Sequence, residues 1–153
     1  MRKLDKIIVI DLEATCWEGD PPESQQSEII EIGLCVLDVA TGEREAPRAL
    51  LVRPRQSTLS PYCQALTTLT PEMLASGLDF ADACAILHAE YLSEVRTWAS
   101  YGDYDRLMMA AQCESWGVPY PFGRSHINVK NLFALQLGLS KEVGLGKATE
   151  FME

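Results

Sequence analysis

At 153 residues, 47 % apolar and 23 % charged, the chain has the balance of a globular protein long enough to bury a core without disulfides or a structural metal. No apolar run approaches the roughly 20 residues of a membrane helix, and Met1-Arg2-Lys3-Leu4-Asp5-Lys6 leads into a strand, not a signal-peptide core, so no membrane partner and a cytoplasmic location are expected. A net charge of −9 excludes coating of nucleic acid by bulk electrostatics, but not an enzyme acting on a nucleic-acid end.

The first informative stretch is residues 7–17. Ile7-Ile8-Val9-Ile10 reads as a strand buried on both faces, and it runs directly into Asp11-Leu12-Glu13. Positions i and i+2 of a strand face the same way, about 6–7 Å apart, so Asp11 and Glu13 share one face while Leu12 points into the core. Two like charges that close raise each other's pKa unless a cation lies between them, and a divalent metal is the simplest one. The competing reading is structural, since strands often end in polar residues.

The polar, Pro/Gly-rich residues 18–26 form a loop beside this site. Residues 28–39 read as a second strand, Thr41-Gly42 as a hairpin turn and residues 49–54 as a third strand ended by Pro54, giving an antiparallel meander. Ser60-Pro61 and Thr70-Pro71 each start a short helix. A longer amphipathic helix is expected over residues 80–95, with Ala83, Ile86, Leu87 and Leu92 on its apolar face. Residues 96–101 read as a fourth strand, followed by a turn and a helix that ends at Trp116 before Gly117-Val118-Pro119. A loop over 120–125, with His126 still in loop, a helix over 129–137 and a final helix from residue 141 complete one domain with an α/β layout and a mixed sheet. The five cysteines include no C-x-x-C pair and are read as reduced thiols.

A second acidic cluster, Gly102-Asp103-Tyr104-Asp105, sits where a strand gives way to a helix, where acids also serve as caps. Read with Asp11-Leu12-Glu13-Ala14-Thr15, it resembles the second motif of the DEDD-superfamily 3′–5′ exonucleases. Within them it is most similar to the 3′-end RNA-processing branch with a catalytic histidine. Leu51-Val52-Arg53-Pro54, Leu59-Ser60-Pro61-Tyr62-Cys63 and Asn128-Val129-Lys130-Asn131-Leu132-Phe133 follow that branch as well. The resemblance implies a ribonuclease H-like mixed sheet, antiparallel meander plus parallel strands, flanked by helices. It implies two-metal phosphodiester hydrolysis from the 3′ end of single-stranded RNA, or DNA, with Mg²⁺ or Mn²⁺. Asp11, Glu13 and Asp105 would be the catalytic metal ligands, with Asp103 left as loop or cap. The backbone of Leu12 and Ala14 would lie against the terminal nucleotide, with Trp17 and Tyr104 beside it. Trp17 and Tyr104 remain open to a packing role, and Trp98 is expected in the core.

The branch carries a third motif, H-x-x-x-x-D. His88 is followed five residues on by Ser93 and His126 by Asn131, so neither fits. The expectation is a single exonuclease-type domain over residues 1–153, C-terminally truncated ahead of the helix with that motif and inactive or weakly active as it stands. Apolar surface left by that helix would favour a homo-oligomer. The alternative is a non-catalytic nucleic-acid- or protein-binding module that keeps the fold.

Overall fold

The apolar run from Ile7 to Ile10 lies in the central strand of a five-stranded sheet. The computed structural model describes residues 1–153, with strands β1 (Lys3–Ala14), β2 (Ile29–Asp38), β3 (Arg44–Leu51), β4 (Arg96–Ser100) and β5 (His126–Asn128). Helices α1 (Pro61–Thr67), α2 (Pro71–Ala75) and α3 (Phe80–Tyr91) connect β3 to β4, α4 (Tyr104–Trp116) connects β4 to β5, and α5 (Val129–Gln136) and α6 (Leu145–Glu150) follow. The spatial order is β3-β2-β1-β4-β5. β1 pairs antiparallel with β2 and parallel with β4, and β4 pairs parallel with β5, so the expected meander joined to parallel strands is the observed sheet.

Alternation along β1 and β2 divides the sheet into two chemically different faces. Ile8, Ile10 and Leu12 of β1, with Ile32, Leu34 and Val36 of β2, enter the main core against Phe80, Ala83 and Leu87 of α3 and Met109 and Cys113 of α4. Asp11, Glu13 and Glu31 alternate with them and so stand on the opposite face. Trp98, 1 % exposed, is core as expected and stacks on Phe122 at 4.3 Å between ring centres. No helix is long and apolar enough to cross a membrane. All five cysteines are free thiols.

Several boundaries differ from the sequence reading, each for a local reason. β3 begins at Arg44, not at residue 49, and takes in Pro47. It is an edge strand, where a residue with no N–H to donate is tolerated. α3 stops at Tyr91, not at residue 95. Leu92 turns into the left-handed region (φ 54°) and its N–H bonds back to the Leu87 carbonyl. The buried face of α3 is therefore Phe80, Ala83, Cys84, Leu87 and Tyr91, with Ile86 only partly buried and Leu92 outside the helix. His126 is not in a loop but opens β5, whose three residues are too few for a periodic pattern. α6 covers only residues 145–150 of the expected terminal helix.

The loop before β5 is pinned by close backbone approach at Gly123. Its N–H donates to the Ser93 carbonyl at 3.0 Å, and its own carbonyl accepts from Trp98 Nε1 at 3.2 Å. A Cβ at this position would stand 2.2 Å from the Glu94 carbonyl oxygen, so backbone must move to admit it. Gly123→Ala is expected to destabilise the fold by about 1–3 kcal/mol. Urea denaturation monitored by circular dichroism checks this.

Candidate active site

The site forms where β1 outlasts its parallel neighbour. The β1/β4 ladder ends at Val9↔Ala99, while β1 continues to Ala14 paired only with β2. On this overhang Glu13 lies directly opposite Glu31 of β2, and Asp11 lies opposite Gly33. Like charges facing one another across a ladder destabilise it. Burial raises the Glu13 carboxyl above its usual range, and the charges of Asp11, Glu31 and Asp105 raise it further. Burial raises Asp11, and burial followed by the Asp11 charge raises Glu31. Asp11 and Glu31 open onto a groove of about 490 Å³ across the outer face of β1 to β3, bounded at its other side by Arg44 and Arg48.

Asp105 arrives from the first turn of α4. Beyond Val9 the Leu12 N–H has no partner on the β4 side, and Asp105 Oδ1 accepts it at 2.9 Å. The side chain is buried, 5 % exposed. Burial pushes its pKa up, the Leu12 hydrogen bond opposes that by stabilising the carboxylate, and the Asp11 charge pushes it up again. Lower on the same helix, Gln112 Oε1 takes the Ile29 N–H at 2.8 Å, so α4 is tied by side chains to both β1 and β2.

A second polar network fixes the chain leaving β1. Thr15 Oγ1 accepts from the Glu28 N–H at 2.9 Å and contacts Ser57 Oγ at 2.9 Å, while the Thr15 N–H donates to the Glu28 carbonyl at 2.8 Å. The Glu28 carboxylate, 4 % exposed, accepts from the backbone N–H groups of Arg55 (2.8 Å), Gln56 (3.0 Å) and Ser57 and from the Ser57 hydroxyl. One acid thus holds the loop after β3 against the end of the D-x-E-x-T segment.

The structure brings Asp11, Glu13 and Asp105 into one electrostatic cluster and adds Glu31, which the sequence reading passed over. A lone charge between Ile30 and Ile32 was the available signal. Leu12 and Ala14 are buried, and the Leu12 N–H and the Ala14 carbonyl are already engaged, the latter by Cys63 Sγ at 3.6 Å. Tyr104 is 58 % exposed and stands in the field of Glu13 and Asp105, and Trp17 is half-buried just past β1. Asp103 occupies the N-cap position of α4, but its side chain caps nothing and instead accepts from Arg106 Nε at 3.1 Å. His88 is exposed and pairs with Glu94, and His126 bonds Ser100 Oγ at 2.8 Å, so neither histidine contacts the carboxylates. As the side chains stand, no three donors among His, Cys, Asp and Glu meet at one point close enough to hold an ion. In kind, however, hard carboxylate oxygens that raise each other's pKa suit Mg²⁺ or Mn²⁺, whose charge would relieve that repulsion.

A sheet overhang carrying clustered acids, met by an acid at a helix start, is a concentration of hard oxygen donors of the kind that attracts cations. The exonuclease family model RNase_T matches residues 8–141, and the chain belongs to that family. It is 34 % identical over 98 residues to the 3′–5′ exonuclease Snipper of Drosophila melanogaster, covering 63 % of this chain and 35 % of that protein. It is 33 % identical over 138 residues to human 3′–5′ exoribonuclease 1, covering 84 % of this chain and 39 % of that one. The chain thus spans little more than a third of the length of these curated relatives. Among solved structures it is similar to the nuclease domain of 3′hExo, a DEDDh family member bound to rAMP, with a TM-score of 0.78 and 29 % identity over 89 % of this chain and 72 % of that one. The resemblance read from the two acidic motifs is thereby established.

Two outcomes test this electrostatic and polar frame. Glu31 has a raised folded pKa, so its ionisation costs stability above that pKa and the cost is relieved as pH falls. Glu31→Gln is therefore expected to raise Tm at pH 7, by about 2–4 °C for each kcal/mol recovered, with the gain vanishing below pH 4, as read by calorimetry across pH. Glu28→Ala leaves three backbone N–H groups without their acceptor and should cost about 3 kcal/mol in denaturant titration.

Proposed function

We propose that this chain is a 3′–5′ exonuclease domain that hydrolyses phosphodiester bonds at the 3′ end of single-stranded RNA, with Asp11, Glu13 and Asp105 holding two Mg²⁺ or Mn²⁺ ions. The observation that carries the reading is the gathering of these three acids, with Asp105 lying 94 and 92 residues after Asp11 and Glu13 in sequence, at the free end of β1. Such ions, when bound, generate a hydroxide nucleophile and stabilise the departing oxygen. Asp11 and Glu13 would hold the ions from one strand face, and Asp105 would offer Oδ2 while Oδ1 stays on the Leu12 N–H. Glu31 adds a fourth negative group that strengthens attraction for a cation. Tyr104 stands beside Glu13 and Asp105 and supplies an aromatic face for the terminal base, with Trp17, just past β1, as a second. RNA is preferred to DNA because the curated relatives include human 3′–5′ exoribonuclease 1 and the similar nuclease domain was solved with rAMP.

Neither histidine reaches the carboxylates, so neither stands ready to take a proton from the attacking water. General-base assistance is worth about 10²–10⁴-fold, and turnover by the 153-residue chain is expected to be slower by that order. The same observation supports a second reading, a module that binds nucleic acid or protein without cutting. A 5′-fluorescein-labelled single-stranded RNA incubated with Mn²⁺ separates them. The expected result is slow shortening from the 3′ end that disappears in Asp11→Asn, together with a Mn²⁺-dependent rise in Tm that Asp11→Asn also loses. RNA binding without any shortening, unaffected by Asp11→Asn, would establish the binding module.

A further inference from the structure

On the far side of the first turn of α4 lies a cationic groove that the carboxylate site does not use. A cavity of about 350 Å³ is lined by Trp98, Arg106, Tyr120, Arg124 and His126. A second recess of about 200 Å³, lined by Arg2, Glu94, Arg96 and Arg124, shares Gly123 and Arg124 with the first, so the two form one path along the β4–β5 edge of the sheet. On β4 the two recesses are lined by Arg96 and Trp98, two residues or about 7 Å apart along the strand.

The charges along this path are unusual for a chain of net charge −9. Arg106 is held only by Asp103 at 3.1 Å, Arg2 donates to the Thr97 hydroxyl at 3.3 Å and makes no ion pair although Glu94 lines the same recess, and Arg124 makes no ion pair. Arg96 is neutralised by Asp5 at 2.8 Å, and Glu94 is engaged by His88. His126 has its Nε2 on Ser100 and its Nδ1 3.9 Å from Asp103, and its ring lies 4.2 Å from Trp98. Tyr120, 38 % exposed, adds an aromatic surface at the wall. On the outer groove of β1 to β3, Arg48 is paired with Glu90 at 2.6 Å, and Arg44 is its one cation without an ion pair.

We propose that this edge groove holds the sugar–phosphate backbone of the single strand upstream of its 3′ end, with Arg106, Arg124 and Arg2 as successive phosphate contacts and Tyr120 as a stacking surface. The assignment rests on the exonuclease reading for the position of the 3′ end. Cations spaced along a path match a polyanion with repeated phosphates better than one small anion. Arg106 neighbours Asp105 in the first turn of α4, so a strand whose end lies at the carboxylates reaches the groove by passing around that turn.

Binding of a fluorescein-labelled 12-nucleotide RNA to the whole chain, measured by anisotropy in EDTA over a range of KCl, tests the groove without turnover. Arg106→Gln/Arg124→Gln is expected to weaken binding about tenfold and to flatten the slope of log K against log salt by about 1.4, since each single-strand phosphate contact contributes about 0.7. Arg124→Lys should retain most of the affinity, and Lys141→Gln, an equal loss of charge on the exposed segment before α6, should leave the slope unchanged. Circular-dichroism melts of each variant exclude loss of fold. An unchanged slope in the double variant, a wild-type chain that does not bind the 12-mer, or equal displacement of the RNA by a poly-glutamate peptide would each overturn the assignment. Groove-dependent binding without Asp11-dependent shortening would sustain the groove while removing the exonuclease reading.

Discussion

One hydrogen bond joins the two halves of the acidic site, from the Leu12 N–H to Asp105 Oδ1 at 2.9 Å. It exists because the parallel ladder between β1 and β4 ends at Val9↔Ala99 and leaves backbone beyond it without a strand partner. A buried N–H must find an acceptor, and the first turn of α4 supplies one. The bond also favours the charged form of Asp105 against the burial that raises its pKa. Sheet topology, helix placement and the ionisation of a site residue therefore meet in a single contact.

The rest of the sheet makes an unfavourable cluster tolerable. Glu13 and Glu31 are fixed opposite each other by an antiparallel register that runs unbroken from Lys6↔Asp38, and their repulsion cannot be relieved by a slip. A one-residue slip would turn Ile8, Ile10 and Leu12 out of the core, where burial of each such side chain is worth about 1.5–3 kcal/mol. Core burial on one face thus holds like charges together on the other. No structural contact compensates the facing pair, which is the pattern of a local rule broken at a functional position.

Asp11 and Glu13 were legible in sequence because a β-branched run fixes a period of two, and that period alone puts both acids on one face. Asp105 was legible only through its motif, since its decisive partner is the backbone of a residue 93 positions away. Glu31 was not read as part of the site because its role comes from cross-strand register, which the hairpin turn at Thr41-Gly42 did not specify residue by residue. Glu28 was missed for a similar reason: its carboxylate serves backbone groups of a distant loop, and no side-chain pattern marks such a partner. The strand character of His126 was hidden by the brevity of β5, and the end of α3 by a left-handed Leu92 where glycine would have been the usual signal.

The first turn of α4 is where the two surfaces of opposite charge are coupled. Successive helical residues point about 100° apart, so Asp105 and Arg106 cannot face the same side. Asp105 turns to β1. Arg106 turns toward β5, where Asp103, free of capping duty, holds its guanidinium and approaches His126. The anchors of α4 at Leu12 and Ile29 fix its rotation about its own axis. Any change that rotated or withdrew the helix would remove an acid from the carboxylate cluster and a cation from the edge groove together, and a strand spanning both would register that as the loss of two contacts.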